Sequence, residues 1–210
     1  MKLLLTSAGI TTQAIASKLL ELTGEGNRKI GFITTAANAE SGNKDWFIDQ
    51  IINLQKHGFD WIDFIDPSAS GVDWRTRLNE VGIIFVSGGN TFHLLNQTRK
   101  TGFDNWLKEH LENVVYVGVS AGSILVTPNI GIASIENGDE NLCGISDLSG
   151  LGFVDFEVSP HTPGMVSAWA NQEYAKSIKN KLYAYNDKSA LSVVGSGLDI
   201  INSGQYWEFN

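Results

Sequence analysis

The sequence predicts an α/β fold: a mostly parallel sheet flanked by helices on both faces, with antiparallel strands at its C-terminal edge. Short continuous apolar runs, typical of strands buried on both faces, alternate with longer segments of helical spacing. Near the end of the chain, short strand-like runs follow one another with Gly-rich turns between them, which favours antiparallel pairing. With 210 residues, 42% of them hydrophobic, the chain can bury one core. We therefore expect one domain over residues 1–210.

The first part of the chain supplies the parallel strands. Apolar runs predict strands at Leu3–Leu5, Ile30–Ile33, Val81–Val86 and Val114–Val119, and an alternating pattern predicts one at Phe59–Ile65. Helical spacing predicts helices at Thr11–Leu22, Asp45–His57, Thr91–Gln97 and Phe103–Glu112. Strands that alternate with helices favour crossover connections, and crossovers make neighbouring strands parallel.

The last third has a different pattern. The segment Gly131–Leu151 is polar and weakly periodic, and we interpret residues 136–150 as a lid, because loops of that length in a compact domain are usually functional. The elements predicted after it are a strand at Phe153–Ser159, a helix at Val166–Lys181, and strands at Ala190–Val194, Leu198–Ile201 and Tyr206–Phe209.

Composition narrows the function classes. The formal net charge of −8 repels phosphate backbones and anionic lipids, so we expect neither nucleic acid nor a membrane as a partner. The single cysteine, Cys143, cannot form an internal disulfide, and no Cys/His group has the spacing of a zinc site. We expect no metal, no cofactor and a cytoplasmic location.

A tight strand-to-helix turn is predicted around Ser120. The run Gly118-Val119-Ser120-Ala121-Gly122 matches the G-x-S-x-G pattern, directly after an apolar strand. The flanking glycines let strand and helix approach closely, so that the Ser hydroxyl is exposed above the sheet and the following N–H, that of Ala121, can donate to an oxyanion. The alternative is an ordinary turn in which Ser120 caps the helix.

A second glycine loop follows the strand Val81–Val86. Gly88 and Gly89 can present backbone N–H groups to an oxyanion, and Asn90 can contact substrate. The alternative is a plain turn with Asn90 as N-cap. No Lys-Ser/Thr pair follows, which excludes a nucleotide-binding P-loop.

A serine nucleophile needs a base, and His161 is the favoured candidate. It lies in Ser159-Pro160-His161-Thr162-Pro163-Gly164, directly after a predicted strand, where prolines stiffen the loop. His93 remains the alternative, because it follows the glycine loop.

These motifs together resemble the peptidase E family of aspartyl dipeptidases, as a divergent short member; the family's fold is similar to that of class I glutamine amidotransferases. The residues that carry the resemblance are Gly88–Phe92, Gly118–Gly122 with the trailing Thr127–Ile130, and Val154–Phe156 leading to Pro160-His161. The resemblance implies a metal-independent Ser-His hydrolase of short peptides. It implies catalytic roles for Ser120 and His161, with an oxyanion hole at Ala121, Gly88 and Gly89.

The third catalytic residue is less defined. In the enteric dipeptidases it is an Asp shortly after the nucleophile, and Ile135 stands at the matching position. The neighbouring Glu136 is our prediction for this role, with Asp139 and Asp187 as alternatives. Asp187 is included because its segment is similar to a family stretch that carries an acid before the last strands.

The function predicted from the sequence is a serine peptidase acting on small peptides, with Asp-X dipeptidase specificity as its narrower form. The alternatives are an esterase or amidase of the same chemistry, a non-catalytic ligand-binding member of the fold, and an unrelated nucleotide binder. We expect a monomer or a homodimer. The segment Thr162–Glu173 contains no Arg or Lys, which are the side chains that would bind an Asp carboxylate.

Overall fold

The computed structural model describes residues 1–202 and 204–210. Its strands are β1 (Lys2–Thr6), β2 (Ile30–Ile33), β3 (Ile62–Ile65), β4 (Ile83–Val86), β5 (Val115–Val119), β6 (Glu157–Ser159), β7 (Leu182–Tyr185), β8 (Ser189–Val194), β9 (Gly197–Asn202) and β10 (Tyr206–Phe209). Its helices are α1 (Gln13–Thr23), α2 (Thr35–Asn38), α3 (Asp45–Lys56), α4 (Trp74–Leu78), α5 (Thr91–Thr101), α6 (Phe103–His110), α7 (Ala121–Leu125) and α8 (Ala168–Ala175).

The central sheet confirms the predicted fold class. Its strand order is β3-β2-β4-β5-β1-β8-β9, and the five strands from β3 to β1 are parallel. Strands β8 and β9 are antiparallel and form one edge, as the Gly-rich turns indicated. Helices cover the sheet on both faces, because alternate side chains of its strands enter two separate apolar cores.

Strand β1 shows how the sequence builds both cores at once. Leu3 and Leu5 pack in one core with helices α5 and α6, while Leu4 lies in the other with α1. All three side chains are fully buried. This two-sided burial explains why the central strands are continuous apolar runs instead of alternating ones.

The last third departs from the prediction. Strands β6, β7 and β10 form a second, three-stranded sheet in the order β10-β7-β6. The predicted strand Tyr206–Phe209 thus pairs with β7 and not with the edge of the central sheet. The predicted helix Val166–Lys181 is shorter, over Ala168–Ala175, because the chain turns at Ser177 and then extends into β7. Helices α2 and α4 were not predicted.

The sheet brings several loops to one edge. Because β1, β4 and β5 are parallel, the residues that follow them, Ser7, Ser87 and Ser120, leave the sheet on the same side. Antiparallel pairing of Thr6 with Ala190 brings the segment before β8 to that side as well.

Within the described ranges, we find no helix with the length and apolar character needed to cross a bilayer.

Candidate active site

A cleft of about 620 Å³ opens at this edge of the sheet. Ser120, His161, Gly88, Gly89, Asn90 and Asp139 all line it, so six of the residues singled out in the sequence share one cavity. Its walls also contain residues that the sequence pattern did not mark. These include Ser7, Glu40, Gln50 and Glu140.

Ser120 occupies a strained turn between β5 and α7. Its φ of 48° and ψ of −108° are unusual for a residue with a side chain. The turn is held because the Ser120 N–H donates to the Thr6 carbonyl at 3.0 Å and the Ser123 Oγ donates to the same oxygen at 2.8 Å. Strain held in this way at a cleft is typical of a functional residue and not of an ordinary helix cap.

The two glycines around Ser120 are required by close packing. A Cβ on Gly118 would lie 2.7 Å from the backbone of Gly122, and a Cβ on Gly122 would lie 2.3 Å from the Val86 carbonyl oxygen. Both distances are too short for any real contact, so only glycine lets α7 start this close to β4 and β5.

The glycine loop after β4 approaches the nucleophile directly. A Cβ on Gly88 would lie 3.3 Å from the Ser120 Cβ. Gly89 has a φ of 127°, and a Cβ there would lie 2.4 Å from the backbone of Ala36. The N–H groups of Gly88 and Gly89 donate to no other group among the residues described. The loop therefore offers free backbone donors beside Ser120.

His161 is held by the main chain and by Ser7. Its φ of 61° is in the left-handed region, and its own N–H donates to the Ser7 Oγ at 2.7 Å. The next residue, Thr162, donates its N–H to the Tyr185 carbonyl at 3.1 Å. The imidazole is 24% exposed, so one side of the ring faces the cleft while the loop is tied to β7.

The carboxylate that contacts His161 belongs to Asp187. Its Oδ1 lies 2.8 Å from the His161 Nδ1 and accepts a hydrogen bond from the Ser7 Oγ at 2.6 Å. These contacts keep the pKa of the Asp187 carboxyl below its usual value, through His161 first and Ser7 second, although burial opposes them. Asp187 is therefore ionised at neutral pH and fixes the orientation of the imidazole.

Parallel pairing of β6 and β7 explains why these two residues meet. Ser159 at the end of β6 is paired with Ala184 in β7, so the loops that follow the two strands leave side by side. His161 and Asp187 lie in those loops. Ser7, directly after β1, contacts both residues. No local motif around Ser7 predicts this contact. The one available signal was its position directly after a buried strand.

Glu136, the residue predicted as third member, lies elsewhere. Its carboxylate accepts a hydrogen bond from the Ser167 N–H at 2.7 Å and so caps the start of α8. This bond lowers the pKa of the Glu136 carboxyl. The side chain is exposed and does not line the cleft. Glu136 is adjacent in sequence to Ile135, the position that matches the catalytic Asp of the enteric dipeptidases. Its side chain nevertheless does not contact His161.

Asp139 does line the cleft, but its carboxylate faces a different partner. The Oδ2 accepts a hydrogen bond from the Thr91 N–H at the start of α5, at 2.7 Å. Burial raises the pKa of the Asp139 carboxyl, while its bond to Thr91 and the charge of His161 act in the opposite direction. It is an electrostatic neighbour of His161 without a hydrogen bond to it.

Asn90 and His93 have structural contacts. The Asn90 side chain accepts from the His93 N–H at 2.9 Å, capping α5, and donates to the Glu140 carbonyl at 3.0 Å. The Asn90 amide thus helps to hold the cleft wall, and its predicted contact with substrate stays a prediction. His93 lies in α5 and is not among the residues that line the cleft.

The polar segment after α7 forms one wall of the cleft. Asn137, Gly138, Asp139, Glu140 and Leu142 line it. The later part of the segment is tied down, since Arg99 donates to the carbonyls of Asp147 and Ser149. Closure of this wall over a substrate stays a prediction.

Across residues 1–202 and 204–210, no three His, Cys, Asp or Glu side chains group as metal ligands would.

Curated proteins similar to this chain are peptidases by name. An uncharacterized peptidase of Pasteurella multocida is 34% identical over 139 residues, which cover 64% of this chain and 65% of that protein. Peptidase E of Streptomyces coelicolor is 33% identical over 96 residues, or 43% of this chain and 36% of that protein. The chain thus matches less than two thirds of the length of either relative.

Solved structures show the same fold. A candidate peptidase E from Listeria monocytogenes has a TM-score of 0.79 at 24% identity, with 95% of this chain and 96% of that chain covered. A peptidase from an acI-B1 actinobacterium has a TM-score of 0.68 at 17% identity, covering 98% and 88%. At these identities the likeness concerns the fold alone. The sequence match to peptidase family S51 extends over residues 3–201, nearly the whole chain, and the protein therefore belongs to that family.

Proposed function

We propose that the protein is a serine peptidase that hydrolyses short peptides through an acyl-enzyme. Ser120 is the nucleophile, His161 the general base and Asp187 the acid that orients it. The observation that carries the proposal is the 2.8 Å contact between His161 Nδ1 and Asp187 Oδ1 in a loop whose histidine shares the cleft with the strained Ser120. Family membership supports the same reaction class.

The proposed reaction follows from which nitrogen of the His161 ring already has a hydrogen-bond partner. Because Nδ1 of His161 faces Asp187, Nε2 is the nitrogen left to take the Ser120 proton. Ser120 Oγ bonds to the peptide carbonyl carbon, and the negative oxygen accepts hydrogen bonds from the N–H groups of Gly88, Gly89 and Ala121. The imidazolium then gives its proton to the leaving amine as the C–N bond breaks.

The second half of the reaction uses the same groups. Water enters where the amine has left, His161 takes one of its protons, and the hydroxide attacks the acyl carbon. The imidazolium then returns the proton to Ser120 Oγ as the Oγ–acyl bond breaks, which releases the acid and restores Ser120. Asp187 stabilises the imidazolium in both halves without taking up a proton. The expected substrate is a small peptide, and the cytoplasmic location stays part of the proposal.

The proposed function does not include specificity for peptides that begin with Asp. Binding an Asp side chain requires a fixed cation, and among the described residues no Lys or Arg lines the cleft.

The decisive test compares wild type with Ser120→Ala on a panel of dipeptides. We expect kcat/KM to fall by about a thousandfold or more, as loss of a triad nucleophile causes. Ser196→Ala is the matched control, because its hydroxyl is exposed in the turn between β8 and β9. We also expect a fluorophosphonate probe to label wild type and not Ser120→Ala. Labelling without peptide turnover would point to an ester or amide substrate, and absence of both would overturn the proposal.

A further inference from the structure

The lining of the cleft around Ser120 contains several carboxylates. Glu40, Asp139 and Glu140 contribute acidic side chains to its walls. Among the residues described, none of those that line it is Lys or Arg, and His161 is the one basic side chain. With His161 neutral, the formal charge of the cleft lining is −3, the sum of these three carboxylates.

Burial disfavours the charged form of two of these carboxylates. Burial raises the pKa of both Glu40 and Asp139, and the charge of Asp139 raises that of Glu40 further. Lys44 opposes this shift at Glu40, but its ammonium donates to the Ala37 carbonyl at 2.8 Å and Lys44 does not line the cleft. Glu40 accepts no hydrogen bond from any described residue. A cation between Glu40 and Asp139 would relieve both.

Gln50 is a separate sign of a missing donor. This side chain of α3 is only 3% exposed, lines the same cleft, and its amide oxygen has no hydrogen-bond partner among the described residues. The amide lies next to the glycine loop, with its nitrogen 3.9 Å from the position of a Cβ on Gly88. A buried carbonyl oxygen without a donor is rare in folded proteins. The wall of the cleft therefore contains one buried acceptor that no described residue uses.

We propose that the cleft selects its peptides by positive charge: it binds the protonated α-amine of the first residue between Glu40 and Asp139, and it prefers a basic first side chain to an acidic one. This inference rests on the proposed function of Ser120. One ammonium offsets one of the three carboxylates, and a Lys or Arg side chain offsets a second. An Asp side chain instead adds a fourth negative charge to a site without a fixed cation.

Binding can be measured apart from catalysis. In Ser120→Ala, equilibrium titration with the dipeptides Lys-Leu, Ala-Leu and Asp-Leu should give affinities in that order, with Lys-Leu bound about tenfold or more tightly than Asp-Leu. N-acetyl-Ala-Leu, which lacks the ammonium, should bind about tenfold more weakly than Ala-Leu. Raising the salt concentration should narrow the difference between Lys-Leu and Asp-Leu, because it screens charges in an open cleft.

Two variants identify the carboxylates. Glu40→Gln and Asp139→Asn, each made in the Ser120→Ala background, should reduce the preference for Lys-Leu over Asp-Leu by about threefold or more. The matched controls Glu25→Gln and Asp60→Asn change exposed acids outside the cleft by the same charge, and should leave the preference unchanged.

The outcomes separate the two proposals. Equal affinities for Lys-Leu and Asp-Leu, or tighter binding of Asp-Leu, would overturn the charge preference, whatever the catalytic activity of the wild type. A clear preference for Lys-Leu in a protein that neither cleaves peptides nor reacts with fluorophosphonate would instead keep the charge preference and refute the peptidase function.

Discussion

The hydroxyl of Ser7 lies 2.6 Å from Oδ1 of Asp187, although 180 positions separate the two residues in the sequence. The same oxygen of Ser7 accepts the His161 N–H at 2.7 Å. One hydroxyl therefore holds both the main chain of the base and the carboxylate that orients its ring. This makes Ser7 a positioning residue for the proposed catalytic pair.

We expect Ser7→Ala to lower kcat about tenfold with little change in KM, because one or two hydrogen bonds that orient His161 are lost while the other residues of the cleft wall are unchanged. The pKa of the Asp187 carboxyl should rise, since Ser7 helps to lower it. An NMR titration of the Asp187 carboxyl would detect this rise. Ser7→Thr keeps a hydroxyl and should recover most of the activity; equal loss in both variants would argue for a packing defect instead.

Asp187→Asn should reduce kcat by about a hundredfold to a thousandfold. An amide in place of the carboxylate no longer stabilises the imidazolium, but the partly exposed site lets water replace some of the lost interaction. Glu136→Gln should stay within about twofold of wild type, since an amide oxygen can still accept from Ser167. A larger loss in Glu136→Gln than in Asp187→Asn would reverse the assignment of the acid.

The sequence predicts the parallel sheet well because its signal is local. Runs such as Val81–Val86 are apolar throughout, which is what burial on both faces requires. The presence of Ser120 and His161 in tight loops of one cleft is also predictable, because the glycine and proline residues around each lie next to it in the chain. The acid is different: His161 meets Asp187 only because β6 pairs with β7, and β7 lies in a segment whose pattern gave no strand.

Gly89→Ala should destabilise the protein strongly, by about 3 kcal/mol or more. Its φ of 127° is unsuitable for alanine, and the added Cβ would meet the backbone of Ala36, which cannot move without displacing α2. Gly58→Ala provides the comparison, because it has a φ of 83° with nothing within 4 Å of the added Cβ. That variant should cost only about 1 kcal/mol of conformational strain. Urea unfolding of both would test this, and equal losses would contradict it.

Glu157 should make the stability of the fold depend on pH. The residue is 1% exposed, and burial raises the pKa of its carboxyl although hydrogen bonds from Tyr174 and Asn180 oppose the shift. A carboxyl with a raised folded pKa holds its proton more tightly in the folded state. Its contribution to stability is therefore full below the unfolded pKa of about 4.3 and is lost as pH rises through the folded pKa.

The variant Glu157→Gln isolates this contribution, because an amide oxygen can still accept from the Tyr174 hydroxyl, which lies 2.7 Å from Glu157 Oε2. Thermal unfolding at pH 4 and at pH 7 should show a smaller difference between variant and wild type at the lower pH, with the variant more stable at pH 7. If the two proteins had the same pH profile, the carboxyl would have no raised pKa.

The pairing of β1 with β8 has a consequence for a chain during its synthesis. Ser120 is made well before Asp187, and the strand that brings Asp187 next to Ser7 lies further along still. A nascent chain that has only passed residue 125 already contains the nucleophile and its elbow, but neither the base nor the acid. The proposed peptidase would therefore stay inert on the ribosome until its late strands dock against its first one, and the order of the residues along the chain delays hydrolysis until folding is almost complete.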